Sequence, residues 1–127
     1  MSIKNTLLQQ IDNFMEDFLK IFPHKVEIQL FIQKYNLIRS ANSNLVIQYF
    51  IEYIYPHKKQ ILEQDENFFI IGGGQEELKD NNGLKLRDTM KNLWVSETSN
   101  ENKDIIWKYF KIFILLSEKY IMENVKI

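Results

Sequence analysis

The stretch ETSNENKDIIWKYFKIFILLSEKYIM, residues 97–122, decides the fold. At about 100° per residue, the helical repeat, Asp104, Lys108, Lys111, Glu118 and Lys119 fall in one narrow stripe. Ile105, Ile106, Trp107, Tyr109, Phe110, Ile112, Phe113, Ile114 and Leu116 cover the rest of the circumference. A helix that is apolar over most of its surface must be wrapped by other helices or by another chain. Thr98, Ser99, Asn100 and Glu101 read as a capping box that starts this helix, a hydroxyl followed three residues later by a glutamate. Asp104 and Lys108 add a favourably oriented pair four residues apart.

Upstream, periodicity predicts more helices. Leu7, Leu8, Ile11, Phe14, Met15, Phe18 and Phe22 recur at three- and four-residue spacings over a first helix from Asn5 to Ile21. Pro23 ends that helix or opens the next, since proline fits a first turn and not an interior. A second helix from His24 to Tyr35 is expected to bury Val26, Leu30 and Phe31, with Ile28 and Ile32 blurring its period toward a strand. Ser40 to Asn44 reads as a polar loop able to cap a third helix, Leu45 to Tyr55, that turns Leu45, Val46, Tyr49, Phe50 and Tyr53 inward. Pro56 can open a short fourth helix through Leu62, and Asp65 caps a turn that delivers Phe68 and Phe69. The polar stretch at 72–83, which includes Gly72, Gly73 and Gly74, is expected to be a mobile loop, before a helix from Leu84 to Trp94.

The expectation is therefore an all-α fold, one helical domain over residues 1–127, built as a bundle of five to seven helices around the hydrophobic C-terminal helix. Its core is expected to contain Phe14, Phe18, Phe50, Phe69, Trp94, Trp107, Phe110 and Ile114, with Trp94 and Trp107 pinning the last two helices together. The segments Phe22-Pro23-His24-Lys25 and Tyr55-Pro56-His57-Lys58 echo each other 33 positions apart. No third copy exists, so they read as two independent helix stops rather than a repeat array.

Composition narrows the function classes. Hydrophobic residues make up 45% of the 127 residues and aromatics 13%, which excludes a disordered chain. With 16 basic and 17 acidic residues the net charge is −1, too little for non-specific attraction to nucleic acid or anionic lipid. The absence of cysteine removes disulfide frameworks, thiolate zinc sites and thiol catalysis. The N-terminal segment lacks the apolar run of a signal peptide, and no stretch has the length of a membrane span. An intracellular protein is expected.

No catalytic pattern emerges. His24 and His57 have no partner at ligand spacing and read as solvated turn residues. The triple glycine is followed by Gln75, Glu76 and Glu77 instead of the lysine and hydroxyl residue of a phosphate loop. Glu63, Asp65 and Glu66 lack the alternating oxygens of a calcium loop. No cofactor and no metal are expected. Lys85, Arg87 and Lys91 make a modest basic patch interrupted by Asp88, the basis of an alternative reading as a small nucleic-acid-associated regulator. The leading expectation is a non-enzymatic interaction or structural protein that uses helix faces for contacts with a protein partner or with itself as a homo-oligomer. An enzyme ranks third.

Nearly all basic residues are lysine, with only Arg39 and Arg87 as arginine, and Ala41 is the sole alanine, while Ile, Asn, Lys, Phe and Tyr abound. That usage implies an A-T-rich genome, for which giant DNA viruses, some protists and reduced bacteria are all candidates. The order Asp65-Glu66-Asn67-Phe68-Phe69, then Leu93-Trp94, then Asn102-Lys103 leading to Ile106-Trp107-Lys108-Tyr109 resembles a pattern in small helical proteins of the giant nucleocytoplasmic large DNA viruses. The resemblance covers the second half of the chain. It implies an all-helical viral protein, in the host cytoplasm or the virion. Those proteins are without assigned activity, so no functional residue is carried over.

Overall fold

A computed structural model of the chain describes residues 2–68 and 91–124. The 72–83 loop, Phe69, Lys85, Arg87 and the first part of the helix expected from Leu84 lie outside the described residues. Within them the chain is all-α. Five α-helices are seen there: α1 (Ile3–Ile21), α2 (Val26–Ala41), α3 (Ser43–Tyr49), α4 (Lys58–Leu62) and α5 (Asn100–Asn124). Residues 91–96 add a helical turn and a half before α5.

α1 forms where its periodicity places it. Ser2 caps it, accepting a hydrogen bond from the Asn5 backbone N–H at 3.1 Å. Its single apolar face buries Leu7, Leu8, Ile11, Phe14, Met15 and Phe18, and Phe22 continues the face just beyond the helix. Pro23 lies in the turn that follows, where its carbonyl accepts from the Gln29 side chain at 2.7 Å.

α2 departs from expectation in length and in face. It runs through Ala41, so the supposed loop shrinks to Asn42, whose side chain caps α3 by accepting from the Asn44 N–H at 3.1 Å. The buried residues are Ile28, Ile32 and Tyr35, with Phe31 half-buried, whereas Val26 and Leu30 are 58% and 59% exposed. The helix carries two apolar stripes on opposite sides. The inner one is selected because Tyr35 and Arg39, on the same side, both reach Asp12 of α1.

The expected third helix is also altered. α3 ends at Tyr49 and widens into a π turn, Phe50–Ile54, in which the Tyr55 N–H bonds the Phe50 carbonyl. Pro56 explains this: without an N–H it cannot serve the carbonyl four residues back, so a uniform α-helix cannot pass through it. A 3-10 turn, Tyr55–His57, then leads into α4. Val46, Ile47 and Phe50 point inward, while Leu45 is half exposed. The two Pro-His-Lys segments thus have different geometries, a loop in one case and a 3-10 turn in the other.

α4 ends in a Schellman motif: Gln64 N–H bonds Ile61 O at 3.1 Å and Asp65 N–H bonds Gln60 O at 2.8 Å. Gln64 occupies the left-handed position, with φ 54°, where glycine is the commoner choice. Asp65 then accepts from the Asn67 N–H at 3.0 Å, and Phe68 enters the core.

The start of α5 is displaced by one residue from the expected capping box. Ser99 is the cap, accepting from the Asn102 N–H at 3.1 Å. Thr98 serves the preceding helix instead, donating to the Leu93 carbonyl at 2.6 Å. α5 buries Ile106, Trp107, Phe110, Phe113, Ile114 and Ser117. It is not wrapped on all sides, since Ile105, Ile112, Leu115 and Met122 remain exposed on the side of Lys108 and Lys119.

The core is an aromatic cluster between α1 and α5. Phe14 contacts Tyr109, Phe110 and Phe113 edge to face at ring distances of 5.3, 5.6 and 5.7 Å. Phe50 reaches Phe113 at 5.1 Å from the π turn, and Phe68 reaches Phe110 at 5.8 Å. Such edge-on pairs add about 0.5–1.5 kcal/mol each beyond area burial. Trp94 and Trp107 meet edge to face at 5.5 Å, and Lys103 Nζ lies 5.0 Å from the Trp94 ring centre.

Candidate interaction surface

Three kinds of surface feature survive the packing: polar clusters that tie helices together, shallow clefts beside them, and apolar stripes left in solvent. The polar clusters position α2 and α5. Asp12 on α1 accepts from the Tyr35 hydroxyl at 2.6 Å and from Arg39 Nε and Nη2 at 3.2 Å each. This charge-assisted fork clamps α2 to α1. Burial pushes the Tyr35 hydroxyl well above its usual pKa, reinforced by the bond to Asp12 and its charge. Arg39 is pushed up mainly by its hydrogen bond to Asp12.

A second clamp joins α1 to α5, where the Tyr109 hydroxyl donates to Asp17. Burial first, then the Asp17 hydrogen bond and the Asp17 and Glu16 charges, push Tyr109 from 10.0 up to about 12. Both phenols are therefore held neutral by the fold. The stabilisation is complete below the unfolded value of 10.0 and is lost as pH rises through about 12. Melting temperature is expected to fall over that window, and Tyr109→Phe to flatten part of the fall, as read by circular dichroism melts.

Lys58 on α4 pairs with Glu118 on α5 at 3.0 Å, which raises the Lys58 pKa, chiefly through that hydrogen bond. Lys103 pairs with Glu66 at 3.1 Å and Lys25 with Glu97 at 3.0 Å. These pairs are partly exposed and act more on orientation than on stability.

Two shallow clefts flank the clamps. One lies along Asp12, Met15, Ile32, Tyr35 and Arg39, the other along Gln10, Asp17, Ile105, Lys108 and Tyr109. In each, a tyrosine hydroxyl bonded to an aspartate of α1 bridges the helices, so the clefts read as seams between packed helices.

Of the residues singled out from the sequence, Phe14, Phe18, Phe50, Trp94, Trp107, Phe110 and Ile114 are buried in one cluster. Lys91 is exposed, and its expected companions Lys85 and Arg87 lie outside the described residues. His24 is exposed in the α1–α2 turn. His57, expected in solvent, is half-buried with its ring 5.5 Å from that of Phe68. Among the described residues no group of three His, Cys, Asp or Glu side chains could hold a metal ion, and no helix is long and apolar enough to cross a membrane.

The apolar stripes are what sequence reasoning missed. On α2, Val26, Leu30 and Leu37 stand in solvent, Leu37 being 73% exposed. Ile38 and, on α3, Leu45 are also partly exposed. Single exposed apolar residues are ordinary; here three fall in register along one helix. The signal is present in the sequence as a second apolar period in α2, through Val26, Leu30 and Leu37.

Comparison with protein-family models, curated proteins and solved structures finds no match.

Proposed function

We propose that the chain is a non-enzymatic interaction or structural protein that uses helix faces for protein–protein contacts. One observation carries the reading: α2 is apolar on both sides, and only the side bearing Ile28, Ile32 and Tyr35 is used by the fold. Val26, Leu30 and Leu37 keep more than half of their surface in water, forgoing a corresponding part of the about 1.5–3 kcal/mol that full burial of such a side chain supplies. A partner recovers that energy. The lysine-rich, alanine-poor composition and the resemblance of the second half to small giant-virus helical proteins support a viral source, which would place the chain in the host cytoplasm or the virion.

The experiment is site-directed photo-crosslinking in the native source. A photoreactive phenylalanine analogue at Leu37 is expected to yield a discrete cross-linked adduct. The same analogue at the exposed Gln9 of α1 is expected to yield none. Equal labelling from both positions, or no adduct from Leu37, would contradict the reading.

A further inference from the structure

The outer face of α2 has a charge arrangement that names its occupant. Val26, Leu30, Gln33 and Leu37 are spaced four, three and four residues apart and form one stripe down the helix. Glu27 and Lys34 border it on one side, Gln29 and Asn36 on the other, and all eight residues are exposed. The buried residues Ile28, Ile32 and Tyr35 occupy the opposite side. This is the pattern of one half of a two-helix seam, with the remaining positions committed to the chain's own core.

We propose that this face pairs with the same face of a second copy of the chain, with the two α2 helices antiparallel across a two-fold axis beside Phe31 and Ile32. In that register Val26 lies opposite the partner's Leu37, and Leu30 lies opposite the partner's Gln33. Glu27 comes beside the partner's Lys34, and the two-fold axis repeats that ion pair at the other end. Gln29 likewise comes beside the partner's Asn36. A face that carries one acid and one base in positions exchanged by its own two-fold rotation is self-complementary, the requirement of an isologous interface. The parallel arrangement lacks this match, because it sets Lys34 beside the partner's Gln29 and leaves Glu27 without an opposite charge.

The exposed side of α5 does not compete on these terms. Its stripe is Ile105, Lys108, Ile112, Leu115, Lys119 and Met122. Antiparallel self-pairing with Ile112 opposite the partner's Leu115 would set Lys108 against the partner's Lys119. Gln33 plays a separate part in the α2 seam. A single polar residue in an apolar stripe fixes register at some cost in affinity.

The inference rests on the protein-interaction reading above and names the partner for its principal surface. Its test is sedimentation of the purified chain from about 1 to about 500 µM, a range spanning weak to moderate dimers. The wild type is expected to move from 15.3 kDa toward twice that mass. Leu37→Glu is expected to stay monomeric and folded, since its side chain touches water in the free chain. Glu27→Lys and Lys34→Glu each make two like-charge contacts per dimer and are expected to weaken association about tenfold. The double exchange Glu27→Lys/Lys34→Glu is expected to restore it to within about threefold.

A wild type that stays monomeric over the whole range would overturn the proposal. So would a dimer that survives Leu37→Glu, or a double exchange that fails to restore affinity. A monomer that still yields a hetero-adduct from Leu37 in the crosslinking experiment would sink the homodimer alone and leave the interaction reading standing.

Discussion

Trp107→Ala is expected to leave the chain unfolded or molten at room temperature. Trp107 is 3% exposed and meets Trp94 edge to face, and its neighbours on α5, Ile106 and Phe110, belong to the same core. Truncating a buried aromatic costs about 3–5 kcal/mol, against a total of about 5–15 kcal/mol for a domain. The loss here extends beyond one cavity. Trp94 sits on the segment preceding α5, and the Trp94 ring also carries Lys103, which reaches Glu66 near Phe68. Removing Trp107 therefore loosens the contact between the 91–96 segment and α5 and the route from α5 to the acidic turn. Far-ultraviolet circular dichroism retained without near-ultraviolet signal would show the molten outcome. A cooperative melt within a few degrees of the wild type would contradict the assignment of Trp107 to the core.

The second large effect separates the two faces of α2. Ile28→Asp is expected to abolish folding, because Ile28 is fully buried in the core and an unpaired carboxylate there costs several kcal/mol. Leu30→Asp, only two residues away, is expected to change the stability of the monomer by no more than about 0.5 kcal/mol. Chemical denaturation of both variants at low protein concentration checks the pair. The opposite ranking would mean that Val26 and Leu30 face the core after all.

How much of this was legible in the sequence depends on how many apolar stripes a helix has. α1 has one, and each of its expected core positions from Leu7 to Phe22 is buried. α2 has two, and period alone cannot choose between them. The choice is made by Asp12, on another helix 23 residues from Tyr35 along the chain, and no local pattern reports it. α5 misled in the opposite direction. Its charges span so narrow an arc that Ile105 and Ile112 read with the wrapped side, yet both are exposed, as are Leu115 and Met122, which interrupt the polar stripe itself.

The π turn after Tyr49 had a visible cause in Pro56, but the sequence announces only that a regular helix must fail, not how the backbone will widen. At the start of α5, Thr98 and Ser99 are equally good caps by residue type. Ser99 takes the role because the Thr98 hydroxyl is already held by Leu93. The proposed contact surface was the least legible part. Its residues were visible, but their exposure is a consequence of which face the fold left over.

The most direct measurement is a pair of methyl NMR spectra of the full chain, recorded dilute and concentrated. Resonances of Val26, Leu30 and Leu37 are expected to shift with concentration, while those of Ile28 and Ile32 stay fixed. Shifts confined to Ile105, Ile112, Leu115 and Met122, or no shifts at all, would contradict the assignment of the outer face of α2 as the working surface.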